Sequence, residues 1–393
     1  MVNFASARMP PVHFGPGKLS ELPRLARGFG SEALLVSGAA SLESGGHLER
    51  VLDGLAKAGL RVRRLTIGAE PSTVFIDSAC AALRADGPPI DVVIGIGGGS
   101  VIDGAKAISA MLPHENPVLD HLEDVGRDVP HDGTKVPYIA VPTTSGTGGE
   151  MTKNAVLSMV GPGGYKKSLR HDNLIPDAVI VDPMLMLTCP PHVTAACGMD
   201  ALTQLLEPYL SPIASPWSDA LAWSGLESAA ANLVPATTDR GGDVGVRAGM
   251  AYASLLSGAA LANAGLGIVH GLASPIGGFF AIPHGVVCGT LVAEATEANL
   301  AALRRERANP GALAKYAKVG VLFGGDAAKS EAWNCDHLVA RLRTLTETLS
   351  LPRLSAYGIG EGDLDRIVEK AGNRKNPVQL DAEAIRGLVA RRL

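Results

Sequence analysis

The sequence predicts two domains: an N-terminal α/β domain over residues 1–183, with a parallel sheet covered by helices, and an all-helical domain over residues 184–393. Three observations carry this. Short β-branched runs alternate with helical stretches as far as Pro183, strand signals stop after it, and 393 residues are too many for one small core. In the first half, Ala33-Leu-Leu-Val36 is a strand, 46–58 reads as helix, and Leu60-Arg-Val-Arg-Arg-Leu-Thr66 is a second strand. A helix follows at 74–85. Asp91-Val-Val-Ile-Gly-Ile96 is a short apolar strand, and a further helix opens at Ser100. The βαβαβ rhythm continues with strands at Val136–Val141 and Ala178–Val181.

The second half reads differently. Ser215 can cap a helix with Pro216 in its first turn and Asp219 behind it. Helical stretches follow near 246–264, 299–308, 310–322, 329–349 and 380–391. The interdomain cleft is the expected site of chemistry.

Composition removes several function classes. A formal net charge of −4 and 4% aromatic residues give no footing for nucleic acid or an anionic membrane. No apolar leader is visible at the N-terminus, and five cysteines without a CxxC pair read as buried thiols in a reducing cytoplasm. Residues 248–293 contain no Asp, Glu, Lys or Arg, a run long enough to raise the question of a membrane span. It is rich in Gly, Ala, Ser and Asn and carries two prolines and two histidines, which fits close-packed interior helices better.

Two loops and one cluster carry candidate chemistry. Gly97-Gly98-Gly99-Ser100 joins the strand at 91–96 to a helix, so its backbone can approach a diphosphate closely and offer free N–H groups to it. The spacing matches neither GxGxxG nor GxxxxGK[ST]. A second polar loop, Pro142-Thr143-Thr144-Ser145-Gly146-Thr147-Gly148-Gly149-Glu150, follows the next strand, and two such loops suggest a dinucleotide crevice. His270 and His284 lie inside the uncharged run. They read either as core rings bonded to backbone or as metal ligands. Asp200 and Gln204 stand at i and i+4 on one face of an apolar helix, either as a polar stripe or as oxygen donors. Together these four give an O/N set suited to Zn²⁺ or Fe²⁺.

At these residues the chain resembles the iron-containing (group III) alcohol dehydrogenase family. The match spans Phe14-Gly-Pro-Gly17, Gly97–Ser100 with Asp103 and Lys106, Pro142-Thr-Thr-Ser-Gly-Thr-Gly148, Asp200-Ala-Leu-Thr203, His270-Gly271 and Pro283-His-Gly285. The resemblance implies a dinucleotide-binding α/β domain and a helical domain, in the broad architecture shared with dehydroquinate synthase. It implies an NAD(P)-dependent alcohol dehydrogenase or aldehyde reductase, a homo-oligomer at least dimeric, using one divalent metal, Fe²⁺ or Zn²⁺. Asp200, His270 and His284 match family ligands; Gly97, Gly98, Gly99 and Ser100 match the pyrophosphate loop. Gly38, Asp103, Thr143, Thr144, Thr147 and Lys166 match further cofactor contacts.

Two departures stand out. The family's fourth ligand is a histidine where this chain has Gln204, which weakens the site, and a histidine common four residues after His270 is Ser274 here. No proton donor is identified. After the first strand, Val36-Ser37-Gly38-Ala39-Ala40 lacks the carboxylate that would hold a ribose diol and repel a 2′-phosphate, a slight lean to NADP(H). Two other readings are a dehydroquinate synthase-like lyase and a metal-free nucleotide-binding protein. The first is disfavoured because 184–296 holds only Arg240 and Arg247 as basic residues.

Overall fold

The computed structural model describes residues 3–39, 41–307 and 309–393. Eight strands are present among them: β1 (Val12–Phe14), β2 (Glu32–Gly38), β3 (Arg61–Ile67), β4 (Val92–Gly97), β5 (Tyr138–Pro142), β6 (Asn154–Met159), β7 (Tyr165–Arg170) and β8 (Ala178–Val181). Six form one parallel sheet in the order β1-β8-β5-β4-β2-β3, while β6 and β7 make a separate antiparallel hairpin. Helices α1 (Leu22–Arg27), α2 (Ser41–Ser44), α3 (Leu48–Lys57), α4 (Thr73–Ala85) and α5 (Gly99–Met111) accompany the sheet. Beyond β8 come α6 (Pro191–Leu210), α7 (Pro216–Thr237), α8 (Val244–Ala264), α9 (Ile268–Phe279) and α10 (His284–Glu306). The chain ends with α11 (Pro310–Leu322), α12 (Glu331–Thr348), α13 (Leu364–Lys370) and α14 (Ala382–Ala390).

The central strands are buried on both faces, which is why their sequences are continuously apolar. Side chains alternate between two cores, as the strand period demands. Leu35, Ile94 and Ile96 meet Leu48, Val51 and Leu55 of α3 on one face. Leu34, Val36 and Val93 meet Val101, Ile102 and Ile108 of α5 on the other. Strand β2 lies between β3 and β4, so the winding of the sheet reverses beside it. A crevice therefore opens at the carboxyl ends of β2 and β4, where Gly38 and Gly97 terminate their strands.

Helix α7 begins as its sequence suggests, with Ser215 and Ser218 in a capping box and Pro216 in the first turn. The uncharged run becomes α9, most of α8 and the start of α10. Both α8 and α10 are long and apolar enough to cross a membrane, yet 67% and 83% of their most apolar windows are buried inside the protein itself. Here they are core helices.

Several elements differ from the sequence expectation, among them the short helices α1 and α13, which it did not include. Position 308 lies outside the described residues, and the helix expected at 299–308 is, as far as Glu306, only the end of the 23-residue α10. Its first half is buried all round, so it shows no amphipathic stripe to mark it. The β6–β7 hairpin was not anticipated because β7, Tyr-Lys-Lys-Ser-Leu-Arg, is mostly polar and part-exposed. Strand β1 is three residues at the sheet edge, too short to leave a pattern.

The loop after β5 is fixed from two sides. On one, Gly148 touches α8 backbone to backbone: a Cβ on Gly258 would stand 2.0 Å from the Gly148 carbonyl oxygen. On the other, the buried Lys106 of α5 donates from Nζ to the carbonyls of Gly149 (2.6 Å), Thr152 (2.7 Å) and Asn154 (2.9 Å). Burial pulls its ammonium down to about 8, against the charges of Asp103 and Glu150. Lys106→Met removes the donor from three carbonyls and is expected to cost at least about 3 kcal/mol. Urea unfolding at unchanged m-value checks this; a loss below about 0.5 kcal/mol would contradict it.

Candidate metal and cofactor site

A cleft of about 2100 Å³ separates the sheet from the helices. Gly99, Ser100, Asp103 and Thr147 line it from the α/β side, and Lys166 from the hairpin. Asp200, Gln204, His270 and His284 line it from the helices.

On the sheet side, α5 starts without any side-chain cap, its cap residue Gly98 being extended at φ −74°. Its first N–H groups are therefore left for an anionic ligand at the positive end of a 13-residue helix. The two polar loops face each other. Thr144 lies 3.4 Å from where a Gly98 Cβ would stand, and Thr147 lies 3.2 Å from the same point on Gly99. The Thr143 N–H donates to the Gly97 carbonyl at 2.9 Å, which sets the spacing between the loops. Asp103 stands half-buried on the cleft wall beside them, and desolvation pushes its carboxyl up to about 6.

On the helical side, three helices converge. Asp200 comes from α6, His270 from α9, and His284 is the first residue of α10. Asp200 Oδ1 lies 3.3 Å from His270 Nε2 and 3.7 Å from His284 Nε2. A fourth donor completes the group: Cys288 Sγ is 3.7 Å from each of those two nitrogens. All four ligand atoms lie within 4.8 Å of one another.

The donors fit a cation. Asp200 Oδ1 and His284 Nδ1 are buried and have no hydrogen-bond partner. Burial works to raise the Asp200 carboxyl, but His284 and His270 outweigh it and hold the group below its ordinary range. Burial drops His284 to about 4, so this ring is neutral and can ligate. Glu207, one turn beyond Gln204, accepts from His270 Nδ1 at 2.7 Å and from the Val269 N–H at 2.7 Å. That bond leaves Nε2 of His270 aimed at the cluster.

Gln204 is anchored differently. Its Nε2 donates to the Thr147 carbonyl at 2.6 Å and to Ser257 Oγ at 2.9 Å, so half of the amide is committed to the loop after β5. Ser274 Oγ donates to the Lys166 carbonyl at 2.8 Å, tying β7 to α9. Lys166 Nζ in turn pairs with Glu70 Oε1 at 2.5 Å, and Ser158 Oγ donates to Glu70 Oε2 at 2.7 Å.

Sequence reasoning did not pick out Glu207 or Cys288. Both carry a signal in retrospect: Glu207 is i+7 from Asp200 and Cys288 is i+4 from His284, each on the same helix face as its partner. A second histidine group, His114 and His131 with Asp132, is geometrically close. Both ring nitrogens of His131 are already taken, by the Ala110 carbonyl at 3.3 Å and the Gly133 N–H at 3.0 Å.

Comparison with known proteins gives a consistent answer. Residues 10–183 match the model of the iron-containing alcohol dehydrogenases, and residues 194–393 match that of the C-terminal domain of the same family. The chain is 35% identical to the long-chain-alcohol dehydrogenase 1 of Geobacillus thermodenitrificans, covering 93% of this chain and 90% of that one. It is 30% identical to the NADPH-dependent butanol dehydrogenase of Clostridium saccharobutylicum, covering 95% and 94%. Among solved structures it is similar to the iron-containing alcohol dehydrogenase of Thermococcus thioreducens, with TM-score 0.83, 28% identity and coverage of 100% and 99%. A 1,3-propanediol oxidoreductase gives TM-score 0.87, 29% identity and full coverage of both chains. This chain belongs to the iron-containing alcohol dehydrogenase family.

Proposed function

We propose that the chain is an NAD(P)-dependent alcohol dehydrogenase working as an aldehyde reductase, with a small alcohol–carbonyl pair as substrate. The observation that carries this reading is the convergence of Asp200, His270 and His284 on the wall of the cleft that the uncapped start of α5 also lines. When bound there, a divalent metal supplies Lewis-acid polarisation of the carbonyl or alcohol oxygen. The chain's own residues then have three tasks.

The first is to bind the dinucleotide. The free N–H groups of Gly99 and Ser100 take the pyrophosphate, with Gly38, Gly97 and Gly98 leaving room for it and Thr143, Thr144 and Thr147 on the opposite loop. Asp103 and Lys166 belong to the same reading, Lys166 through its place on the cleft wall beside Glu70. The second is to hold reacting atoms at about 3–3.5 Å and keep water out. The third is to orient His270, which Glu207 does through Nδ1. Ser274 is bonded to backbone and does not act as a relay.

The lyase reading loses support from the two arginines considered for it. Arg247 is buried and bonded to Gly241 O, Thr194 Oγ1 and Cys189 O, and Arg240 pairs with Asp243. Neither lines the cleft, but seven other lysines and arginines do, Lys166, Lys167, Arg374 and Lys375 among them, so what disfavours the lyase is the match of the chain to alcohol dehydrogenases. The five free cysteines agree with a reducing, cytoplasmic setting. A homo-oligomer, dimeric at least, is part of the proposal on family resemblance alone.

Three outcomes test the reading. Aldehydes screened with NADH and NADPH are expected to give turnover that a chelator abolishes and Zn²⁺ or Fe²⁺ restores; no turnover with either cofactor after reconstitution would overturn it. Glu207→Gln is expected to weaken metal affinity roughly 10–100-fold, read by competition titration, because it removes the carboxylate that fixes His270. The absence of a carboxylate at Ser37–Ala39 leads us to propose NADP(H) as the better cofactor, so kcat/KM should be higher with NADPH. Ala39→Asp should shift the ratio toward NADH; an unchanged ratio would show that the end of β2 does not set the choice.

A further inference from the structure

We propose that Cys288 is the fourth protein ligand of the metal, giving an Asp200–His270–His284–Cys288 centre that favours Zn²⁺ over Fe²⁺. The inference rests on the metal reading above and adds to it the identity of one donor and the preferred ion.

Geometry carries it. A tetrahedral ion with nitrogen and oxygen at ~2.0–2.1 Å and sulfur at ~2.3 Å places its donors roughly 3.3–3.6 Å apart. The Cys288 Sγ stands 3.7 Å from both imidazole Nε2 atoms, and Asp200 Oδ1 stands 3.3 Å from one of them. Asp200 Oδ1 stands 3.7 Å from the other nitrogen, and all four donor atoms lie within 4.8 Å of one another, close enough to share one ion. Cys288 is wholly buried, so its sulfur is not placed there by an accident of surface packing. The buried Asp200 Oδ1 and its lack of any hydrogen-bond partner supply an independent sign that a cation belongs among these donors.

Helix register explains how the sulfur arrives. His284 and Cys288 are i and i+4 on α10, so both point to the same side one turn apart. Gln204 occupies the corresponding place on α6, i+4 from Asp200, but its amide nitrogen is held by the Thr147 carbonyl and Ser257. A neutral amide oxygen is a weaker donor than thiolate for a borderline-soft ion. The fourth bond thus passes from α6 to α10. Coordination releases the thiol proton to solvent. A thiolate with two imidazoles suits Zn²⁺ better than Fe²⁺, and a zinc site of this kind can expand to five-coordinate when a substrate oxygen enters.

Cobalt substitution tests the proposal in the full-length protein without recourse to activity. Metal-free wild type titrated with Co²⁺ should show the visible bands of a tetrahedral ion together with a near-ultraviolet sulfur-to-cobalt charge-transfer band. Cys288→Ser should keep the visible bands, lose the charge-transfer band and bind Zn²⁺ at least roughly 10-fold more weakly, with a narrowed preference for Zn²⁺ over Fe²⁺. Cys197→Ser, which alters a thiol that lines the cleft, should keep the band. Gln204→Ala should keep it too and change Zn²⁺ affinity little. Visible bands without charge transfer in the wild type would overturn the cysteine assignment and leave the metal reading standing. So would affinity lost in Gln204→Ala but not in Cys288→Ser. No cobalt bands at all would overturn both.

Discussion

A single carboxylate oxygen organises the helical half of this protein. Asp200 Oδ1 is buried where α6, α9 and α10 meet and has no hydrogen-bond partner. Burying an ionised carboxylate without compensation costs several kcal/mol, so the surroundings must offer positive charge. They do so through His270, which Glu207 holds in place from behind; the second ring facing the oxygen, His284, is neutral. Close approach of the helices makes the arrangement possible. On α10, Gly285 and Gly289 alternate with His284 and Cys288, and a Cβ on Gly285 would stand 2.4 Å from the Ala196 carbonyl oxygen of α6. One face of α10 therefore carries a ridge of donors beside a ridge with no side chains, and the second lets the first reach Asp200.

The two halves of the cleft are tied together by hydrogen bonds that start at the same helix. Gln204 sits one turn from Asp200, and its amide nitrogen holds the Thr147 carbonyl. The Thr147 side chain faces Gly99 at the start of α5. The path from Asp200 to the glycine turn before α5 thus runs through one glutamine side chain and one threonine. Lys106 and the Gly148–Gly258 contact hold the rest of that loop. A misplacement of about 1 Å between reacting groups can cost roughly 100-fold in rate. A loop fixed on three sides is a physical means of preventing it.

Much of this was legible in the sequence, and the limits are physical. Strands β2, β4, β5 and β8 are buried on both faces, so their apolar runs announce themselves; β7 is polar and half-exposed, so it does not. Helix α10 is uniformly apolar in its first half, and periodicity has nothing to report when every face is buried. Among site residues, Asp200, His270 and His284 stand out because charge or imidazole is rare in an apolar run. Cys288 does not, since a buried thiol is an ordinary core residue and only its distance to two rings distinguishes it. Glu207 lies on the ligand helix, but nothing local shows that its partner is 63 residues away.

Gln204, at the position where the family resemblance implies a histidine ligand, invites the view that the chain has shed its metal and kept only a nucleotide-binding shell. The burial of Asp200 argues against that. A carboxylate 1% exposed with one oxygen lacking a hydrogen bond is costly to bury, and apolar residues of similar volume would be neutral or stabilising there. His284 presents a neutral Nε2 to the same point. An ion bound there would compensate the buried carboxylate oxygen. The joint presence of these side chains within 4.8 Å is the arrangement expected when folding and metal binding share one set of residues.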